Sequence, residues 1–549
     1  MRLNTIPILI FTLTVFNFCS RTAPVKTQSK SGIEISTSTD ATIVNTESGK
    51  VAGYIENGIY IYKGIPYAQA ERFMPPSKVS NWEGVRSSRA YGPTSPQNKR
   101  MGWYNDEHAF AFDWDDGYAD EDCLRLNIWT PGINNNKQRP VMVWLHGGGY
   151  SSGSGHELPS YDGTNLSQKG DVVVVSLNHR LNVLGFLDLS AYGAKYKESG
   201  NVGLLDIVSS LEWINKNISS FGGDPNNVTI FGQSGGGGKV STLLATPSAE
   251  GLFHKAIIQS GAMLNTMEAK WSRRIGTTVV KELDLKSSDI DKIQQIPYQQ
   301  LLEAGEKAVA KVKLEADKEN FKTFIFGWAP TIDGNVLPSK LFYPTPPEQS
   351  KNIPILIGTT LHEFSTSTYA PSLRTITHEQ SIEQLREKYG NRVHEYINAF
   401  EKAYPSYTPK DLFDVDFIFR PNTIEFSNII SSWSNAPLYM YLFTWESPVL
   451  DGALRSLHCL ELPFVFNNIE RHRSITGGGH EAMILGDTMS SAWINFAKTG
   501  NPNTESLPEW EPYTTNNESI MIFDKTCELK KGHDKELMDI IRLFPVRGL

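Results

Sequence analysis

Cysteine is scarce in this sequence. Only four of the 549 residues are cysteine, and no two of them are spaced as the C-x-x-C pair of a metal or redox motif. So few thiols exclude a scaffold built on disulfides. The core must therefore be held together by the packing of apolar side chains.

Positive charge is also in short supply. Lysine and arginine together number 52 against 60 aspartates and glutamates, which leaves a net charge of −8. A nucleic-acid partner needs a basic surface that displaces counterions, so we expect no nucleic-acid binding. Apolar residues at 40% and charged residues at 20% are typical of a globular protein.

Complete motifs for metals and nucleotides are missing too. Five His-Glu pairs occur, in HELPS, HEFST, HEQSI, HEYIN and HEAMI, and none has the second histidine of H-E-x-x-H. The stretch GGGGK resembles a phosphate-binding loop, but Gln233 replaces its first glycine and Val240 replaces the Ser/Thr that would hold magnesium. We therefore expect neither a metal nor a cofactor.

The N-terminus has the pattern of a secretory signal. An apolar stretch at 6–18 is too short to span a bilayer and precedes Ser/Thr-rich sequence. We expect residues 1–19 to be a signal peptide, residues 20–41 to be flexible, and the protein to be exported. Cys19 favours a lipoprotein anchor, the one membrane contact we expect, whereas residues 16–18 are not the small residues that lipoprotein processing prefers. Both kinds of signal stay open.

The rest of the chain, 42–549, is predicted to be one α/β domain. Continuous apolar, β-branched runs suit strands that are covered on both faces of a sheet. These runs are 140–146, 171–180, 227–232, 255–261, 353–360 and 438–445. Because helical stretches separate them, we expect a large, mostly parallel sheet flanked by helices. The ligand site of such a sheet lies beyond the carboxyl ends of its strands.

A serine among glycines follows one of these strands. Residues 232–236, GQSGG, match G-x-S-x-G, with a strand pattern before Ser234 and a helix pattern after it. This is the context of a nucleophile elbow, in which glycines let the strand and helix approach closely. Ser151 matches the same pattern, but proline and turn formers follow it, which predicts a loop. Ser234 is the predicted nucleophile, and an idle serine in a glycine-rich turn is the alternative.

A serine nucleophile needs hydrogen-bond donors for an oxyanion, and a glycine-rich loop supplies candidates. HGGGY at 146–150 directly follows a predicted strand, as the oxyanion loop of lipases and esterases does. We expect the backbone N–H groups of Gly148, Gly149 and Gly235 to form the oxyanion hole.

The base and the acid are expected later in the chain, in the order acid then histidine. Glu363 lies just beyond the strand 353–360, and His458 lies in the loop after the strand 438–445. His480 is the second candidate for the base. His362 is interpreted as structural or as a residue that supports the site, because its place in the chain order is wrong for the base and its side chain should point away from that of Glu363.

Many ordered blocks resemble the type B carboxylesterase/cholinesterase-like family of α/β hydrolases, with the bacterial para-nitrobenzyl-esterase-like branch nearest in pattern. They include KGIPYA, EDCLRLNIWTP, HGGGY, NHRLNVLGFL, GLFHKAIIQSG, HCLELPFVF and AWINFAKTGNPN. The resemblance implies the α/β-hydrolase fold, a large twisted sheet with a gorge formed by loop and helical insertions. It also implies hydrolysis of small-molecule carboxylic esters through an acyl-enzyme on Ser234, with His458 and Glu363 completing the triad and Ser260 supporting the acid.

The sequence departs from the family pattern at several positions. Gln233 stands where the family often has glutamate, which should weaken any preference for cationic esters. Gly235 stands where alanine is common. Ser95 replaces the usual disulfide partner of Cys123, so we expect a buried thiol there.

Two other functions remain as alternatives. Adhesion proteins of the same fold lack triad members, whereas all three positions are filled here, which favours an enzyme. A lipase is the second alternative, although no strongly amphipathic lid is legible. Aromatic residues within 98–114 and 321–328 are candidates for the gorge lining, with Trp103 and Trp328 equally explained as substrate contacts or as core.

Overall fold

The structure, a computed structural model, describes residues 34–98 and 105–544. The predicted signal peptide, Cys19 and Trp103 lie outside the described residues. Residues 34–41 of the predicted flexible segment are described, and Ile35–Ser36 forms an edge strand, so the sheet begins before residue 42.

The described residues form strands that fall into one large sheet and two small ones. The strands are β1 Ile35–Ser36, β2 Ile43–Thr46, β3 Gly49–Ala52, β4 Tyr54–Glu56, β5 Ile59–Pro66, β6 Val85–Ser87, β7 Arg125–Thr130, β8 Arg139–Leu145, β9 Val173–Leu177, β10 Gly223–Gln233, β11 Lys255–Gln259, β12 Met267–Glu268, β13 Thr331–Ile332, β14 Ile355–Thr360, β15 Leu438–Phe443, β16 Ser519–Phe523 and β17 Glu528–Lys531.

Helices connect most of these strands. The α-helices are α1 Asp106–Phe112, α2 Thr164–Gly170, α3 Asn182–Phe186, α4 Val202–Asn217, α5 Gly235–Leu244, α6 Ala269–Glu282, α7 Tyr298–Lys318, α8 Thr366–Tyr369, α9 His378–Tyr389, α10 Val393–Ala403, α11 Asp411–Asp414, α12 Phe419–Trp433, α13 Leu462–Val465, α14 Arg473–Thr476, α15 His480–Thr499 and α16 Lys535–Arg542. Within the described ranges, no helix is long and apolar enough to cross a membrane.

The large sheet has twelve strands in the order β1-β4-β5-β7-β9-β8-β10-β11-β14-β15-β16-β17. Its centre, from β9 to β16, is parallel, and its two edges are antiparallel. The six predicted strands are all present in this sheet, and the predicted α/β fold is confirmed. Each of them became a strand because a β-branched, apolar run can be buried on both faces.

Both faces of the sheet carry a hydrophobic core. Along β8, Val141 and Val143 belong to one buried cluster, whereas Met142 and Trp144 belong to a second cluster. Successive side chains of a strand point to opposite faces, so these two clusters lie on the two sides of the sheet. The central strands are therefore fixed in position by packing from both sides.

The parallel centre places five chain segments at one edge of the sheet. The carboxyl ends of β8, β10, β11, β14 and β15 are neighbours, because these strands pair in that order. The segments that follow them contain every predicted catalytic residue. The order of the strands therefore brings the predicted site residues to a common edge of the sheet, although they are spread along the chain between residues 146 and 458.

A buried ion pair anchors α12 next to this edge. Arg420 and Asp534 are 0% and 1% exposed, and Arg420 Nη2 lies 2.7 Å from Asp534 Oδ1. Arg420 follows Phe419, whose ring stacks on His458. Removing one partner of a buried pair leaves the other charge uncompensated, which is far more costly than the loss of an exposed pair.

We expect Asp534→Asn to lower the free energy of unfolding by about 3–5 kcal/mol, because Arg420 would lose its carboxylate. The matched control is Glu536→Gln, which breaks the exposed pair with Lys402 and should cost less than about 1 kcal/mol. Urea denaturation followed by tryptophan fluorescence measures both. Equal effects of the two substitutions would contradict this account.

Candidate active site

Ser234 lies on the sharp turn that was predicted from the glycines. It directly follows β10 and precedes α5, with φ 58° and ψ −126°. Positive φ is unfavourable for a non-glycine residue and persists only where its surroundings enforce it. Here the Ser234 N–H donates to Gln259 O at 2.8 Å, and Ser234 O accepts from Gly238 N–H at 3.0 Å.

The neighbouring glycines are required by close backbone approaches. A Cβ atom on Gly236 would lie 1.9 Å from Leu145 O, and one on Gly261 would lie 2.3 Å from Ser234 O. A Cβ atom on Gly235 would lie 2.4 Å from Gly149 N. Each of these separations is far below any van der Waals contact. The glycines therefore let the turn, the loop after β8 and the loop after β11 touch through their backbones.

The loop after β8 carries the two predicted oxyanion donors against this turn. Gly148 and Gly149 have φ of +78° and +61°, which side chains disfavour. Since Gly149 N lies only 2.4 Å from where a Cβ atom of Gly235 would be, the backbones of the loop and of the turn are in contact. The structure thus brings the three predicted glycines to one place beside Ser234.

Glu363 and His458 form a buried hydrogen-bonded pair. His458 Nδ1 lies within hydrogen-bond distance of Glu363 Oε2, and the His458 N–H donates to Glu363 O at 2.9 Å. The Ser260 hydroxyl donates to Glu363 Oε1 at 2.5 Å, and the Thr360 N–H donates to the same oxygen at 2.9 Å. A proton on Nδ1 directed at the carboxylate leaves Nε2 free to accept one.

Ser234 and His458 line the same cavity. Among the described residues, no hydrogen bond joins the Ser234 hydroxyl to the His458 ring. Catalytic hydrogen bonds are often long before a substrate binds, so the lack of this bond does not exclude proton transfer between the two side chains.

Gln233 covers the His458 ring. Its amide nitrogen lies 3.2 Å from both Nδ1 and Nε2. If the Gln233 amide nitrogen lay in the plane of the imidazole ring at 3.2 Å from both ring nitrogens, it would overlap a ring carbon. The amide therefore lies over a face of the ring, a weak N–H···π contact. The Cys459 thiol donates to Gln233 Oε1 at 3.0 Å and holds the amide in this orientation.

Burial controls protonation at this pair. It lowers the pKa of His458, although the carboxyl groups of Glu461 and Asp416 raise it, so the imidazole is neutral near pH 7. Burial raises the pKa of Glu363, whereas the hydrogen bonds donated by Ser260 and Thr360 lower it. A neutral imidazole beside a hydroxyl can take up the hydroxyl proton, which an imidazolium cannot do.

The cavity in front of Ser234 measures about 310 Å³ and is mainly apolar. Its aromatic lining is Trp114, Tyr150, Tyr161, Phe324, Phe326, Phe364 and Phe419. Three of these aromatic residues come from the two predicted stretches, 98–114 and 321–328. Trp328 is not among the described lining residues and is 8% exposed, so it belongs to the core.

None of the competing candidates takes the place of Ser234 or His458, although Ser151 also lines the cavity. His362 is buried, accepts from the Ser456 N–H at 3.2 Å and contacts Arg455, as expected of a structural residue. His480 is exposed at the first position of α15. Ser151 lies in a turn, as predicted, and Cys123 is a buried free thiol.

Sequence reasoning missed several buried polar residues. Glu157 lines the cavity, accepts from the Ser154 N–H at 2.6 Å, and burial raises its pKa to about 8. Glu461 accepts from the Gln259 amide at 3.0 Å, and burial raises its pKa to about 7. Lys239 is fully buried in α5. Glu157 lies in the motif HELPS and Lys239 in GGGGK. These two motifs resemble parts of metal and phosphate sites, and neither resemblance predicts a buried ionisable residue beside the cavity.

Within residues 34–98 and 105–544, no group of three or more His, Cys, Asp or Glu side chains could hold a metal ion.

Comparison with known proteins gives consistent matches over nearly the whole chain. A sequence model of the carboxylesterase family matches residues 40–540. Para-nitrobenzyl esterase of Bacillus subtilis (strain 168) is 35% identical over 519 residues, 92% of this chain and 99% of that esterase. Phenmedipham hydrolase of Pseudarthrobacter oxydans is 31% identical over 496 residues, 87% of this chain and 94% of that hydrolase.

Solved structures are similar as well. An esterase from the anaerobe Clostridium hathewayi, which can hydrolyze aliphatic aromatic polyesters, has a TM-score of 0.83 and 36% identity. The match covers 93% of this chain and 100% of that esterase. A thermophilic PNB esterase has a TM-score of 0.73 and 33% identity, and the match covers 91% of this chain and 100% of that esterase.

The contact between Gln233 and His458 makes a prediction about protonation. We expect Gln233→Glu to raise the pKa of His458 by at least about one pH unit, because a carboxylate over the ring favours the imidazolium. The pH dependence of the His458 ¹³Cε1 resonance in histidine-labelled protein measures this pKa, with His458→Asn used for assignment. In the parent protein the midpoint should lie below 6.5. An unchanged midpoint in the variant would show that the amide does not contact the ring.

Proposed function

The chain belongs to the carboxylesterase family and hydrolyses carboxylic esters as a serine hydrolase, and we propose that Ser234, His458 and Glu363 form its catalytic triad. The observation that carries the proposal is the buried Glu363–His458 hydrogen bond at a cavity that Ser234 also lines. The oxyanion hole would consist of the N–H groups of Gly148, Gly149 and Gly235.

In the first step, the ester carbonyl carbon is attacked by Ser234 Oγ. His458 Nε2 takes the hydroxyl proton, and Glu363 stabilises the imidazolium that results. The carbonyl π electrons move to the oxygen, which becomes an oxyanion facing the three glycine N–H groups. When the C–O bond to the alcohol breaks, His458 gives its proton to the leaving alkoxide. Ser234 remains as an ester, the acyl-enzyme.

In the second step, water repeats the attack on the acyl-enzyme. His458 takes one proton from the water, and the water oxygen forms a bond to the acyl carbon. Collapse of the oxyanion releases the carboxylic acid and returns the proton to Ser234 Oγ. Ser260 and Thr360 act throughout by holding the Glu363 carboxylate toward the imidazole.

The cavity favours uncharged, largely apolar esters as substrates. Glu157 has a pKa raised to about 8, so the lining carries little negative charge near pH 7. Gln233 contributes an amide where a glutamate would contribute a carboxylate. A quaternary ammonium group would therefore find no fixed anion among the described residues that line the cavity, whereas aromatic or aliphatic groups would contact Phe324 and Phe419.

We expect Ser234→Ala to lower the turnover of a para-nitrophenyl ester by at least about 10⁴-fold, because no other group supplies the nucleophile. The matched control is Ser491→Ala, on α15 outside the cavity, which should keep parent activity. Turnover of the Ser234 variant near the parent level would overturn the triad. A fluorophosphonate probe should label the parent and the control stoichiometrically and leave Ser234→Ala unlabelled.

We further propose that the enzyme is exported, with residues 1–19 as the signal peptide. The support is the apolar stretch 6–18 followed by Ser/Thr-rich sequence. Cys19 would attach the protein to a membrane if the signal is of the lipoprotein type.

Expression of the full chain in a bacterial host tests export. We expect the enzyme outside the cytoplasm, and the mass of the intact protein should correspond to a chain without at least its first 18 residues. A lipoprotein would also partition into detergent, and Cys19→Ala would abolish that partitioning. Cytoplasmic protein that retains its N-terminus would contradict the proposal.

A further inference from the structure

Lys239 is a buried cation directly behind the predicted oxyanion loop. It is 0% exposed and lies on α5, five residues after Ser234. Its Nζ donates to His146 O at 2.7 Å and to Gly147 O at 3.4 Å. Both acceptors belong to the loop after β8, so the lysine joins the helix that follows the nucleophile to that loop.

The contact with Gly147 O has a consequence for Gly148. In a trans peptide the carbonyl oxygen of one residue and the N–H of the next lie on opposite sides of one rigid plane. A cation that holds Gly147 O therefore fixes the direction of the Gly148 N–H. The next peptide is held in the same way, because Gly148 O accepts from the Ser151 and Ser152 N–H groups at 3.2 and 3.1 Å.

Packing alone does not explain a lysine at this position. A buried ammonium is costly unless it is paired, and no carboxylate lies within ion-pair distance of Lys239 in the described part of the chain. An apolar side chain of similar length would fill the same space without that cost. The carbonyl groups of the loop are the partners that the lysine does have, and they determine what it can do.

The surroundings of Lys239 keep part of its charge. Burial lowers the pKa of Lys239 to about 7, and any negative charge on the Glu157 carboxyl group raises it. The other titratable groups that face it are His146, His179 and Tyr150, and burial keeps both imidazoles neutral by lowering their pKa. At pH 6 the ammonium form therefore predominates, and its positive charge polarises the peptide groups that it contacts.

We propose that Lys239 is a positioning residue that holds and polarises the loop 146–149 so that its N–H groups face the oxyanion. It touches neither substrate nor the reacting atoms. The inference rests on the proposed esterase function, since an oxyanion hole matters only if Ser234 attacks a carbonyl. Its effect should appear when negative charge develops on oxygen and not when the ester binds.

The test compares Lys239→Met with the matched control Lys255→Met at pH 6. Lys255 is also buried, but its Nζ contacts Asn227 at the opposite end of the sheet. Active sites are titrated to completion with a fluorophosphonate, and kcat and KM are measured for para-nitrophenyl acetate. A trifluoromethyl ketone, which forms a hemiketal oxyanion on the serine, reports on the oxyanion hole separately.

For Lys239→Met we expect kcat per titrated site to fall about 10–100-fold, as for a displaced group of the oxyanion hole. KM should stay within about twofold, and affinity for the trifluoromethyl ketone should fall by the same factor as kcat. For Lys255→Met, kcat per titrated site and affinity for the trifluoromethyl ketone should both stay within about threefold of the parent values. If Lys239→Met does not fold, Lys239→Gln, which also removes the charge, is measured in its place and should show the same pattern.

A kcat per site within about threefold of the parent, or a loss of kcat with unchanged ketone affinity, would overturn the role of Lys239. An equal loss in Lys255→Met would overturn it as well, because any buried lysine would then have the same effect. Failure of the proposed function is separable. A parent enzyme that the fluorophosphonate does not label at Ser234 would refute the triad, whereas stoichiometric labelling with an unaffected Lys239 variant would refute only the positioning role.

Discussion

The architecture of the site depends on backbone packing against backbone at the Ser234 turn. Three segments, the loop after β8, the turn after β10 and the loop after β11, approach so closely that no side chain fits between them. Only glycine allows this, and its conformational entropy is lost on folding. In return, the segments that follow β8 and β10 are held in contact through their backbones, in positions set by the sheet and not by flexible side chains. Packing of the central strands on both faces makes these positions rigid.

Around this backbone framework, the polar groups of the site are buried to an unusual degree. Glu363, Glu461 and Asp416 lie near His458, Glu157 lines the cavity, and Lys239 contacts the loop after β8. Burial opposes charge on each of them, so hydrogen bonds from backbone N–H groups and hydroxyls decide which form is kept. Glu363 is the clearest case, because Ser260, Thr360 and His458 all direct donors at it. The neutral imidazole that a base requires follows from the same exclusion of water.

The fold and the principal site residues could be predicted from the sequence because their signals are local or follow from chain order. β-branched runs identified the strands, glycines identified the turn at Ser234, and the position of His458 after a late strand distinguished it from the exposed His480. The contacts of Glu157 and Phe419, and the position of the Gln233 amide over the His458 ring, could not be predicted in this way. Each depends on which surfaces meet in three dimensions, and one sequence carries no periodic pattern for such contacts. Lys239 belongs with them, since its partners lie more than 90 residues earlier in the chain.

The distance along the chain between the parts of the site determines when it can exist during folding. Gln233 meets His458 across 225 residues, and the histidine loop reaches the cavity only after β15 has paired with β14. Contacts of such long range form late, because the entropy of closing the intervening loop must be overcome first. With the triad as we propose it, a nascent chain therefore carries a serine hydroxyl that has no proton acceptor, and it stays inactive as an esterase until β15 and the loop after it have folded.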